Sequence, residues 1–100
     1  MIVGVTRTTS PGRRTAEQNW LFQSLYEEIR TLPGCEAVIV ARRYDEEEGI
    51  TRAVTIFRWR DDAAWQAASS RVQEVAERMI EAVPGLAGAS VEDYELVTDL

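Results

Sequence analysis

The sequence predicts an α+β fold of order βαββαβ, because it repeats itself. A shift of 51 positions lays Val3, Val5 and Arg7 over Val54, Ile56 and Arg58, then Ile29 over Ile80, and Pro33-Gly34 over Pro84-Gly85. Each half therefore reads as a strand, a long amphipathic helix, a Pro-Gly stop and a second strand. Two right-handed crossovers of this kind place both helices on one face of a four-stranded antiparallel sheet, the ferredoxin-like arrangement.

Residues 2 to 8 alternate and are rich in β-branched types, which predicts the first strand, and Ser10-Pro11-Gly12 then turns the chain. Thr15 followed by Gln18 has the spacing of a capping box. Leu21, Phe22, Leu25, Tyr26, Ile29 and Leu32 share one sector of a helix from about Ala16 to Thr31, stopped by Pro33-Gly34. A second strand spans Glu36 to Tyr44, the acidic tip Asp45 to Gly49 reverses the chain, and a third strand runs from Ile50 to Arg60. Asp61 or Asp62 can cap the second helix, whose apolar sector is Trp65, Ala68, Val72, Val75, Ala76, Met79, Ile80 and Val83. Leu86-Ala87-Gly88 leads to a fourth strand over Ala89 to Val97.

One hundred residues with 45% apolar content bound a single domain, 1–100, with one core. The first residues carry neither the pattern of a signal peptide nor a membrane-length apolar run, and the lone cysteine, Cys35, cannot staple the fold. A cytoplasmic location is expected. The net charge is −6, and the eleven basic residues are all arginine, scattered rather than gathered into a stripe. That pattern disfavours nucleic acid and membrane surfaces as partners.

On the third strand Val54 and Ile56 point one way while Ala53, Thr55, Phe57 and Trp59 point the other. Two helices cover one face only, so the second face is wet, holds a ligand or meets another copy of the chain, and its apolar character favours the last. A two-fold homodimer closing two sheets into a barrel, with further assembly left open, is the expected partnership.

Chemistry is bounded mainly by what is missing. With no histidine and one cysteine, ordinary zinc or iron ligand sets and Ser-His or Cys-His nucleophiles are excluded, so no metal is expected. The glycines are isolated rather than grouped for phosphate binding. Asp45 to Glu48 lacks alternating calcium-ligand spacing and reads as a solvated hairpin tip. Cys35, beside Glu36, reads as inert. Trp20 projects away from the first helix's apolar sector and reads as a surface residue, a pocket lid or an interface anchor. Arg7 and Arg58 share a face with Val5 and Ile56, either as rim ion pairs or as a grip on a carboxylate or phenolate oxygen. Arg42 occupies the position that the repeat maps to Asp93. No residue is singled out as catalytic; Tyr44, Tyr94, Glu92 and Asp93 are the strand candidates for moving a proton.

The run Thr55-Ile56-Phe57-Arg58-Trp59-Arg60-Asp61-Asp62-Ala63-Ala64-Trp65, with Leu32-Pro33-Gly34-Cys35 before it, resembles the antibiotic-biosynthesis monooxygenase family of the dimeric α/β-barrel superfamily. The resemblance implies a small apolar or aromatic ligand between helices and sheet, walled by Trp59 and Trp65. It further implies oxygenation without a cofactor: a phenolic substrate is deprotonated and reacts directly with dioxygen, with Arg58 or Arg7 steadying the oxyanion. Trp59, Trp65, Arg58, Arg7 and Tyr94 are thus the candidate ligand-binding residues. The family's haem-degrading pattern, a strand-one asparagine plus a helix-two histidine, is not met, since the only asparagine is Asn19 on the first helix. Two other readings stay open: a structural or regulatory dimer, and an acid-base isomerase or cyclase.

Overall fold

The structure is a computed structural model that describes residues 1–88 and 90–100. Its elements are β1 (Ile2–Pro11), α1 (Ala16–Arg30), β2 (Cys35–Asp45), β3 (Ile50–Trp59), α2 (Asp62–Ala82) and β4 (Val91–Glu95). They form the ferredoxin-like βαββαβ fold, with sheet order β2-β3-β1-β4 and every neighbouring pair antiparallel. No helix among the described residues is long and apolar enough to cross a membrane.

Local chemistry sets the helix ends. Thr15 Oγ1 accepts from Gln18 N at 3.1 Å while Gln18 Oε1 accepts from Thr15 N at 3.0 Å, the reciprocal cap that the spacing predicts. Gly34 ends the α1 connection at φ +80°, and a Cβ there would stand 2.4 Å from that of Ala64, so only glycine lets the start of α2 approach. Asp61, not Asp62, caps α2 by accepting from Ala64 N at 2.8 Å. Ala64, Ala68, Val72 and Val75 are its buried stripe, whereas Ile80 falls at the sector's edge and is 44% exposed.

β1 runs three residues beyond the expected Thr8, because Thr9 to Pro11 still find partners in Arg52 to Ile50 of β3. Thr9 exchanges hydrogen bonds with Ala87 on the other side, at 3.1 and 2.9 Å. Pro11, two residues on, therefore turns its missing N–H toward that same side, where β4 does not reach. The expected start of the fourth strand at Ala89 lies outside the described residues, and the strand ends at Glu95 rather than Val97. Past it, Leu96 N donates once more to Met1 O, at 2.9 Å, before the chain leaves the sheet.

Strand alternation and register assign the two faces. Ile2, Gly4, Thr6, Thr8 and Ser10 of β1 share the helix-covered face with Trp59, Phe57, Thr55, Ala53 and Thr51 of β3. Val3, Val5, Ile39, Val54 and Ile56 lie on the opposite face, which no helix covers. Trp59 is fully buried and sits in the core cluster with Leu25, Ile29, Cys35, Ala64 and Ala68. Trp59→Ala should accordingly cost about 3–5 kcal/mol in a denaturant titration. Its Ala64 hydrogen bond, helped by Arg60, holds the Asp61 carboxyl below its usual range. The cap's contribution is thus full above the unfolded carboxylate's value and fades as pH falls through the lower folded one. Asp61→Asn should keep the helix start and flatten that acid limb in thermal melts taken across pH.

Candidate ligand-binding site

The covered face of the sheet changes character along its length. At one end stand the large rings of Trp59 and Phe57, with the Trp59 Nε1 also buried and unpartnered; at the other, β1 presents Thr6, Thr8 and Ser10, with Thr55 and Thr51 beside them on β3. Thr51 Oγ1 donates to Gly12 O at 2.7 Å. The sealed hydroxyls of Thr6 and Ser10 meet no hydrogen-bond partner. Into this end reaches Arg14, from the connection between β1 and α1. Its guanidinium lies 4.4 Å above the Phe22 ring, and its Nε and Nη1 atoms are buried without a partner. Burial pushes Arg14 below the ordinary arginine value; nearby Tyr26 opposes this and the like charge of Arg42 adds to it. A guanidinium is basic enough to stay cationic.

A cavity of about 40 Å³ lies between these groups, with Thr6, Arg14, Phe22, Tyr26, Phe57 and Met79 among its walls. That is room on the scale of a water molecule, whereas a ring system needs roughly 300 Å³ or more. Outside it, between α1 and β2, runs a crevice of about 280 Å³ lined by Asn19, Phe22, Gln23, Tyr26, Val40 and Arg42. Phe22 and Tyr26 border both spaces. Their rings meet edge to face, with centroids 6.3 Å apart, and form the partition.

The five residues expected to bind ligand fall into two groups on opposite faces of the sheet. Trp59 and Trp65 contact each other, with ring centroids 5.7 Å apart, but they belong to the packed end and line none of this cavity. Arg7, Arg58 and Tyr94 lie on the uncovered face, because residues one apart on a pleated strand point in opposite directions. Arg58 therefore cannot steady an oxyanion held against Trp59. It stands 3.5 Å from Asp99 instead. Tyr94 donates its hydroxyl to Glu92, which raises its pKa, with Arg7 close enough to oppose the shift. Trp20 is 74% exposed, as its helical projection predicts, and lines no part of the cavity. Cys35 is buried, which pushes its thiol up and leaves it unreactive.

Sequence reasoning missed Arg14, Thr6 and Ser10. A signal was present. The shift of 51 lays Thr6 and Thr8 over Phe57 and Trp59, so hydroxyls stand in one half where the other has its largest core rings.

With this geometry the chain matches solved structures along almost its whole length. It has the antibiotic-biosynthesis monooxygenase fold. A cofactor-independent oxygenase from Streptomyces nogalater, SnoaB, aligns at a TM-score of 0.67 and 17% identity over 99% of this chain and 95% of that one. A monooxygenase from Streptomyces coelicolor, ActVA-Orf6, solved with nanaomycin D, aligns at 0.59 and 23% over 99% and 89%. MhuD, solved with two manganese protoporphyrin IX molecules per active site, aligns at 0.67 and 23% over 100% and 98%. At these identities the likeness is one of fold. No family model and no curated protein matches the sequence.

The unpaired hydroxyls make a stability test. Thr6→Val removes a buried group without a partner and should raise stability by about 1 kcal/mol, whereas Thr51→Val breaks a made hydrogen bond and should lower it by about 1–2 kcal/mol. Urea unfolding of both variants beside the parent protein measures the contrast.

Proposed function

We propose that this chain, as a single domain over residues 1–100, is a cytoplasmic homodimer that binds a small apolar or aromatic molecule between its helices and sheet. The observation that carries this reading is the group of unpaired polar atoms, Thr6 Oγ1, Arg14 Nε and Arg14 Nη1, at a cavity walled by Thr8, Thr55 and Tyr26 as well as by apolar side chains. A buried polar atom without a partner costs about 1–3 kcal/mol, and a domain's whole stability is only about 5–15 kcal/mol. Several such atoms in one place are a burden that a ligand would relieve. The molecule enters between α1 and β2 as Tyr26 swings aside, which joins the inner cavity to the crevice. The ligands named in the ActVA-Orf6 and MhuD structures are nanaomycin D and manganese protoporphyrin IX, and the planar porphyrin supports a flat occupant here.

The homodimer rests on the uncovered sheet face. Ile39 is 54% exposed there, with Val3, Val5, Val54 and Ile56 around it, a contiguous apolar surface of the kind that marks an interface. The unpaired Cys35 suits a reducing compartment.

A second reading, oxygenation of the bound molecule without a cofactor, is favoured by the likeness to SnoaB. A phenol and dioxygen would give a quinone and water. One C–O bond forms, the O–O bond breaks, two hydrogens leave with the second oxygen atom, and dioxygen accepts all four electrons.

Sedimentation at micromolar concentration should show a dimer, and Ile56→Glu, which puts a charge at the centre of the uncovered face, should give a folded monomer. A stable parent monomer overturns the dimer. Binding of flat aromatic compounds, followed by ligand-observed NMR, should be detectable in the micromolar range and faster in association for Tyr26→Ala. Absence of binding across naphthalene, anthraquinone and flavonoid probes defeats the principal reading. For any binder, dioxygen uptake matching its consumption supports oxygenation; binding with no uptake removes only that second reading.

A further inference from the structure

If a ligand occupies the helix–sheet cavity, the groups around it restrict what that ligand can be. The chain is acidic overall, at −6, yet three of its eleven arginines, Arg13, Arg14 and Arg42, gather beside this site in a crevice of about 230 Å³ with Asn19, Tyr44 and Thr51; Arg43, at the same crevice's rim, belongs to the uncovered face of β2. One carboxylate of the β2–β3 tip reaches this group. Arg13 has Glu46 at 3.5 Å, where both side chains are well exposed, and it lies over the Tyr44 ring; Arg42 is held by the neutral amide oxygen of Asn19. Exposed ion pairs of this kind contribute little. Arg14 is the member that continues inward, where its Nε and Nη1 face no acceptor. A cluster of one sign around a low-dielectric opening focuses its field on whatever enters.

We propose that the ligand carries an ionised oxygen, a carboxylate or a phenolate, which accepts hydrogen bonds from Arg14 with its apolar body against Phe22, Tyr26 and Met79. This rests on the binding reading above and adds the ligand's charge to it. The half-buried Arg14 guanidinium beside the Phe22 face has donors and no acceptor, which suits an anion, and Thr6 Oγ1, which can donate as well as accept, can donate to the same oxygen. Charge-assisted hydrogen bonds are roughly twice as strong as neutral ones, so an anion gains here what a neutral isostere does not. Arg14 is, in this role, a ligand-binding residue, and the outer two, Arg13 and Arg42, steer.

Matched probes test the charge. 2-Naphthoate and a nitronaphthol ionised at neutral pH represent the two anion sources, and 2-naphthamide and naphthalene are their neutral counterparts. Each is titrated against the parent protein and Arg14→Met, with heat-unfolding temperatures confirming that both are folded. The parent should prefer at least one anion over its neutral counterpart by about tenfold or more, and Arg14→Met should lose that preference while still binding the neutral ring. Which anion shows it separates carboxylate from phenolate. Neutral and charged probes binding equally, or a preference that survives in Arg14→Met, overturns the proposal and leaves the binding reading standing. No probe binding to either protein defeats the binding reading itself and this proposal with it. If Arg14→Met does not fold, Arg14→Gln is used in the same comparison.

Discussion

The antiparallel register of β1 on β3, from Ile2 against Trp59 to Pro11 against Ile50, is the constraint on which the rest depends. A sheet's side-chain period is two, so this register decides every residue's face at once, and a slip of one position would exchange the faces. It sends Trp59 and Phe57 under the helices and turns Arg58, the residue between them, outward. Gly4 lies opposite Phe57, where an added Cβ would come within 3.2 Å of Val91 and 3.6 Å of the Phe57 ring. Two positions further along the same face the hydroxyls begin. The place where a cavity can exist is therefore fixed by where carbon gives way to oxygen on one strand.

The ties on α1 are unequal, and this shapes how such a cavity can open. Its C-terminal end is anchored: Arg30 Nη1 donates to Cys35 O at 2.7 Å, and Gly34 abuts Ala64. Its outer flank is joined to α2 by Glu28, which receives Arg71 at 3.2 Å and Arg78 at 3.0 Å. Toward β2 the crevice is bridged by the exposed Asn19–Arg42 hydrogen bond, with Val40 left 37% exposed beneath it. One exposed hydrogen bond contributes about 1 kcal/mol, so the N-terminal half of α1 is tied to β2 less firmly than its C-terminal half, where Arg30 holds Cys35 O.

Much of this was legible in the sequence, since element order follows from local chemistry. The Thr15–Gln18 cap, the two Pro-Gly stops and the helical spacing of Leu25 and Ile29 act within a few residues of one another. Pseudo-symmetry carried the reading less well for burial. Ile29 and Ile80 occupy equivalent positions, yet one is 1% and the other 44% exposed, because α2 turns a stripe of Ala64, Ala68, Val72 and Val75 inward. For the tryptophans, the family likeness implies a pocket wall whereas their positions, Trp65 within the helical stripe and Trp59 at a strand end beside the helix start, imply packing, and packing is what the structure shows. Arg14 was hidden for a different reason. It sits in an irregular connection, where no periodicity predicts direction, and its meaning comes from Phe22, Thr6 and Tyr26, which only the folded chain brings together.

The two proposed surfaces, one for a second copy and one for a ligand, share the same strand. Val5 and Arg7 point to the uncovered face on either side of Thr6, which points into the cavity. A partner pressed against Val5 and Ile56 would hold the central strands flat and rigid from below, while nothing on that side touches α1. The floor of the cavity, Thr6, Thr55 and Phe57, would thus be fixed by association, and the roof, Phe22 and Tyr26, would remain free to move. A binding site gains affinity when its polar groups are held in place beforehand and loses it when they must be ordered by the ligand. Dimerisation would therefore strengthen ligand binding without any residue of the partner entering the cavity.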